Sequence, residues 1–281
     1  MAALSVPGPL VTVGWLAEHL DHPGLVVLDA SVGAAAGDDP GIPGARRFDV
    51  DGPLSDPSSP LPHTMPGAER FTRELRALGV GGHSTVVAYD RLGIYSAARA
   101  WWMLRAMGFD RAAVLDGGLP AWTAAGLPPG RAAAGPPPAG DFTARPRPGL
   151  IVDSAAVVRA LAEDGTAVLD ARTRERFAGE VEEPRPGLRR GHMPGALNLP
   201  FGDLQDAGRM RPAAELRALF ADLVGGRERL VVSCGSGVTA CVLALGADLA
   251  GYRDLAVYDG SWSEWGLPSA LPVQTGPASR G

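Results

Sequence analysis

Four blocks of this chain occur twice, in the same order, roughly 150 residues apart, and that repeat limits the fold more than any other feature. Leu25-Val26-Val27-Leu28-Asp29-Ala30 is a buried-strand pattern ending in an aspartate, preceded by an apolar helical spacing from Val13 to Leu20. It recurs as Ala167-Val168-Leu169-Asp170-Ala171, preceded by Val157 to Leu161. Pro40-Gly41-Ile42-Pro43-Gly44-Ala45 returns as Gly191-His192-Met193-Pro194-Gly195-Ala196. Thr85-Val86-Val87-Ala88-Tyr89-Asp90 matches Leu230-Val231-Val232-Ser233-Cys234-Gly235, and Ala113 to Trp122 parallels Ala256 to Trp265. The chain is therefore expected to be two copies of one domain. We place the copies at residues 8–127 and 151–268, joined by a proline-rich extended linker at 128–150, with a fraying tail from about Pro268. Short apolar strands alternating with helical segments predict an α/β fold, each copy a mostly parallel sheet with helices on both faces.

In such sheets the ligand site lies beyond the carboxyl ends of the strands. Cys234 stands there in the second copy, between the apolar run ending at Ser233 and the alanine-rich helical segment Ala240 to Leu249. Glycines in the turn and the positive end of the following helix would favour a thiolate below the ordinary thiol pKa of roughly 8.5. A small buried hydrophobe is the competing reading. The first copy offers Tyr89 and Asp90 in the same turn, so it is expected to be catalytically silent.

Composition removes several alternatives. The 281 residues are 46% hydrophobic, enough for sizeable cores, and carry a net charge of −5, against general nucleic-acid binding. All 26 basic residues are arginine, which excludes lysine Schiff-base chemistry and a phosphate-loop lysine. The spacing of Cys234 and Cys241 favours neither a disulfide nor a metal pair, and the five histidines show no ligand spacing, so neither metal nor cofactor is expected. Met1 to Leu10 lacks signal-peptide features and no apolar run reaches membrane-span length. The expectation is a cytoplasmic enzyme with no membrane partner.

With these blocks in hand, the chain resembles the two-domain rhodanese-like sulfurtransferases, whose N-terminal domain is silent and C-terminal domain active. Trp101-Trp102-Met103, Leu115-Asp116-Gly117-Gly118 and Tyr258-Asp259-Gly260-Ser261-Trp262 resemble the family as well. The loop Cys234-Gly235-Ser236-Gly237-Val238-Thr239 is similar to the Cys-Gly-Ser/Thr-Gly-Val-Thr of the 3-mercaptopyruvate branch rather than the Cys-Arg-Lys-Gly-Val-Thr of thiosulfate-using rhodaneses. The resemblance implies a Cys234 nucleophile that forms a persulfide, with 3-mercaptopyruvate or alternatively thiosulfate as donor. The acceptor would be a small thiol or cyanide, or a protein thiol if Cys234 serves as a persulfide carrier. It also implies that Arg176, and Arg185 in Glu183-Pro184-Arg185, bind substrate. Asp51 and His63 match further contributors, although Pro62 stands where the family has an acidic residue.

By chemistry alone, Gly235 and Gly237 would free the turn, and the backbone N–H groups of Gly235 to Thr239, with the Ser236 and Thr239 hydroxyls, would cradle an anion. The arginines 172, 174, 176, 185, 189 and 190 lie among Glu175, Glu180, Glu182 and Glu183, a mixture typical of a solvated loop. We leave Arg172, Arg174, Arg189 and Arg190 in that solvated role. Cysteine phosphatases, which need Cys-x5-Arg, are excluded by alanine at position 240. His192, Trp262, Trp265 and Cys241 are expected to be structural.

Overall fold

The computed structural model describes residues 4–37, 40–133 and 135–277. It divides into two compact units. The first takes residues up to Ser58, Met65–Arg147 and Ala207–Met210; the second takes Ser59–Thr64, Pro148–Asp206 and the chain from Arg211 onward.

The first unit holds β1 (Leu10–Val11), α1 (Val13–His19), β2 (Leu25–Asp29), β3 (Arg46–Arg47), α2 (Ala68–Ala77), β4 (Thr85–Tyr89), α3 (Ala97–Ala106), β5 (Ala112–Leu115) and α4 (Gly118–Ala124). Its strands run in the order β1-β5-β4-β2-β3 with every pairing parallel. All five residues of β4 are buried, as expected for a strand covered on both faces. On one face Val27 and Val87 pack with Val13, Leu16 and Trp122 of α1 and α4.

The chain continues through β6 (Ile151–Val152), α5 (Ser154–Leu161), β7 (Thr166–Asp170), α6 (Arg174–Ala178), β8 (Leu197–Asn198), the short pair β9 (Gln205–Asp206) and β10 (Arg209–Met210), α7 (Ala213–Val224), β11 (Arg229–Ser233), α8 (Ala240–Ala250), β12 (Asp254–Tyr258) and α9 (Ser261–Trp265). The second sheet, β6-β12-β11-β7-β8, repeats the order of the first, again wholly parallel. Central β11 and β7 are buried because both faces are covered. Val168, Val231 and Ala256 line the face on which Phe177, Trp262 and Trp265 pack.

Three expectations need correction. The block Thr85–Asp90 aligns with β11 one residue away from its sequence match. Asp29 pairs with Tyr89 in the first sheet and Asp170 with Ser233 in the second, so Asp90 is the counterpart of Cys234. The tail is anchored rather than frayed: Leu271 and Val273 pack on the core, His192 and Gln274 exchange backbone hydrogen bonds, and the Gly276 N–H donates to the Ala178 carbonyl. Residues 278–281 lie outside the described part. Finally, the proline-rich stretch is tied to the first unit. Gly130 bridges to Gly41, Phe142 packs edge-on against Phe71 and Phe109, and the Arg145 and Arg147 N–H groups donate to Met107 and Ala106.

Candidate active site

β11 ends at Ser233, and Cys234, a residue only 1% exposed, begins the turn into α8. Two anchors from the segment that opens α9 fix its backbone. The Cys234 N–H donates to Ser261 Oγ at 3.1 Å, and the Trp262 N–H donates to the Cys234 carbonyl at 2.9 Å. Ser263 clamps the next carbonyl, donating to Gly235 O from its N–H at 2.8 Å and its hydroxyl at 2.6 Å. Ser261 does this from a left-handed backbone, φ 49°, which a residue with a Cβ adopts at a cost. Its hydroxyl also donates to Tyr258 O at 2.8 Å, so the side chain secures both the thiol-bearing residue and the strand behind it.

Past the thiol, the backbone N–H groups of Ser236, Val238 and Thr239 have no acceptor among the described residues. The first unit shows what such a frame does. There the Asp90 carboxylate accepts the N–H groups of Leu92, Tyr95, Ser96 and Ala97 at 2.8–2.9 Å and is fully buried. One repeat thus carries its own anion where the other carries a thiol.

The two loop glycines have different causes. Gly237 sits at φ 76°, where a side chain is strained. Gly235 does not have a positive φ, contrary to the turn-freeing role expected of it; a Cβ there would come within 3.1 Å of Arg176 Nη2, so glycine admits the guanidinium to the loop.

Arg176 lies on α6 against Gly235. Arg185 makes one hydrogen bond among the described residues, at 3.5 Å to the hydroxyl of Ser263, the residue that clamps Gly235. His63, grouped with the second unit and at φ 59°, places Nδ1 2.9 Å from Ser236 Oγ. The second unit therefore gathers Cys234, its loop, Arg176, Arg185 and His63. Asp51 belongs to the first unit, where its carboxylate accepts the Gly33 N–H at 2.7 Å.

The solvated reading of the arginine-rich stretch fails for Arg172, Arg189 and Glu183. Arg172 is fully buried, paired with Asp170 at 2.6 Å and Glu183 at 2.8 Å, with its guanidinium 4.1 Å over the Trp262 ring. Burial alone would depress its pKa; the pairing with Asp170 and then Glu183 outweighs burial and holds it above the ordinary value. Arg189 donates to the carbonyls of Leu271 and Trp265. Arg174 and Arg190 remain surface ion pairs, with Asp203 and Glu182. His192, Trp262 and Trp265 are buried, and Cys241 is buried with its thiol 3.3 Å from Gly237 O. Ser261, Ser263 and Glu183 are site residues that composition and spacing do not pick out.

Among the described residues no cluster of His, Cys, Asp or Glu is arranged to hold a metal ion, and no helix is long and apolar enough to cross a membrane. Two tandem parallel α/β domains with a cysteine-bearing loop after the central strand of the second define a class of protein, a tandem α/β repeat with one thiol at the strand ends. The model of the rhodanese-like domain matches residues 12–125 and 154–267, and the chain belongs to that family. It is 41% identical over 274 residues to 3-mercaptopyruvate sulfurtransferase of Escherichia coli (strain K12), covering 94% of this chain and 97% of the relative. It is 42% identical over 281 residues to 3-mercaptopyruvate sulfurtransferase of Homo sapiens, covering 94% of each. The crystal structure of SseA from Escherichia coli, described as a 3-mercaptopyruvate sulfotransferase of rhodanese fold, superposes with a TM-score of 0.78 at 39% identity. That match covers 92% of this chain and 100% of the other.

Proposed function

We propose that this sulfurtransferase takes its sulfur from 3-mercaptopyruvate and carries it as a persulfide on Cys234. The observation behind the reading is that the loop after Cys234 presents backbone N–H groups without protein acceptors while two arginines, Arg176 and Arg185, border its first residue. The loop carries no cation of its own, so charge recognition falls to the arginines beside it.

In the first half-reaction the Cys234 thiolate attacks the donor's thiol sulfur. The S–S bond forms as the C–S bond breaks, and the electron pair passes to the methylene carbon, where it is delocalised onto the keto oxygen as an enolate. Protonation at that carbon releases pyruvate. Arg176 and Arg185 hold the carboxylate and meet the charge that grows on the keto oxygen. The Ser236 hydroxyl, oriented by His63, supplies a further donor at the loop. In the second half-reaction a thiolate or cyanide attacks the outer sulfur and returns Cys234 as thiolate; a protein thiol is an acceptor of the same chemistry. Two free thiols suit a reducing compartment such as the cytoplasm.

The test compares pyruvate release from 3-mercaptopyruvate with thiocyanate formation from thiosulfate and cyanide. A larger kcat/KM for thiosulfate would overturn the donor, and full activity in Cys234→Ser would overturn the mechanism.

A further inference from the structure

Four charges of alternating sign run from the core of the second unit to the active-site loop. Asp170 closes β7 and is fully buried; Arg172 donates to it through Nε at 3.0 Å and Nη2 at 2.6 Å. Arg172 Nη1 then donates to Glu183 Oε1 at 2.8 Å. The other oxygen of Glu183 accepts Arg176 Nη2 at 2.5 Å, with Arg176 Nε 3.3 Å from Oε1. The Glu183 side chain is 2% exposed and the Arg176 side chain 24%. Glu183 thus holds the Nε–Nη2 edge of the Arg176 fork and seats the guanidinium against Gly235, with Nη2 the atom nearest that residue.

The signs matter as much as the geometry. Asp170, Arg172, Glu183 and Arg176 cancel in pairs, and Arg185 is left as the surplus cation of this cluster. A cluster with one unit of excess positive charge matches a monocarboxylate and gives a dianion no second counter-charge from these residues.

We propose that Glu183 is a specificity-determining residue: it positions Arg176 for the donor and cancels its charge, so that a monoanionic mercapto acid is preferred over doubly charged thiosulfate. This rests on the donor reading above. An uncompensated charge at this range, partly shielded from water, changes the affinity for an anion by about tenfold per unit of ligand charge.

The experiment measures kcat/KM for 3-mercaptopyruvate and for thiosulfate in the full-length protein, in Glu183→Gln and in Glu183→Asp. Glu183→Gln removes the charge and is expected to move the thiosulfate-to-mercaptopyruvate ratio about tenfold toward thiosulfate, an effect that shrinks with added salt. Glu183→Asp keeps the charge and shortens the reach, so KM rises for both donors while their ratio holds. An unchanged ratio in Glu183→Gln, or an equal shift in Glu183→Asp, overturns the proposal. Should Glu183→Gln fail to fold, the parent protein still decides. Pyruvate should inhibit more strongly than sulfate at equal ionic strength, and the reverse order overturns it. A parent enzyme that prefers thiosulfate sinks the donor reading, whereas an unmoved ratio sinks only the role of Glu183.

Discussion

Asp90 stands in the first repeat where Cys234 stands in the second, each directly after the last residue of its central strand. The Asp90 carbonyl accepts the Leu119 N–H at 2.9 Å as the Cys234 carbonyl accepts that of Trp262, so the frame around the two residues is the same. What differs is the occupant: a fixed carboxylate with four N–H partners against a thiol whose loop N–H groups await one. Asp90→Ala should leave buried donors unsatisfied and cost about 3 kcal/mol of stability. Urea unfolding of the variant measures this, and an unchanged midpoint and slope would mean that the carboxylate is not what holds that turn.

Ser261 and Gly118 occupy matching positions and share a left-handed backbone, φ 49° and 53°. At Gly118 a Cβ would collide with the carbonyls of Asp90 and Gly93, so glycine is required there; in the second repeat a serine is kept despite its strain. The return is the hydroxyl that accepts the Cys234 N–H. Ser261→Ala should therefore lose about 1–2 kcal/mol while retaining the strain, and Ser261→Gly should recover part of that loss by relieving the backbone. Thermal unfolding of the two variants orders them, and Ala at least as stable as Gly would refute the assignment.

Arg185 and Arg176 differ in how much of each fork is already committed. Arg176 has Nε and Nη2 on Glu183, whereas Arg185 has one long contact to Ser263. Arg185 is thus free to grip a carboxylate with two parallel bonds. Arg185→Lys keeps the charge but lacks the fork, so it should raise KM for 3-mercaptopyruvate by about tenfold with a far smaller change for thiosulfate, whereas Arg185→Ala removes the charge and weakens both donors. Steady-state kinetics with both donors check this, and equal rises in Arg185→Lys would remove Arg185 from carboxylate recognition.

How much of this could be read from the chain depends on where each signal lies. β2, β4, β7 and β11 announce themselves because strands covered on both faces are continuous apolar runs, and the repeat doubles the evidence. Cys234 and its loop are equally plain, since a thiol among small residues between a strand and a helix has few uses. Arg172 and Glu183 are not, because a run mixing arginine and glutamate looks the same whether water or Asp170 and Trp262 complete it, and Trp262 is 90 residues away in the chain. The role of Ser261 is hidden for a similar reason: a left-handed serine leaves no mark in the sequence. Gly235 is ambiguous in the sequence because a glycine needed for a neighbour's approach is identical there to one needed for its own φ.

His192 is buried to 1% exposure, stacked flat on Phe177 with ring centroids 3.8 Å apart, and its Nδ1 lies 2.8 Å from the Phe177 carbonyl. Burial pushes its pKa below the ordinary value of 6.5, an effect only partly offset by the Phe177 carbonyl and by Asp170. The unfolded chain therefore takes up the proton first as pH falls. The stability contributed by the neutral ring is complete above pH 6.5 and is lost on acidification below it, toward the lower pKa of the folded state. The urea midpoint of the parent protein should decline between about pH 7 and pH 5. His192→Asn, which keeps an N–H donor but not the titration, should be less stable at about pH 7 and show a shallower decline. If the two proteins lost stability in parallel across this window, the acid sensitivity would have to come from groups other than His192.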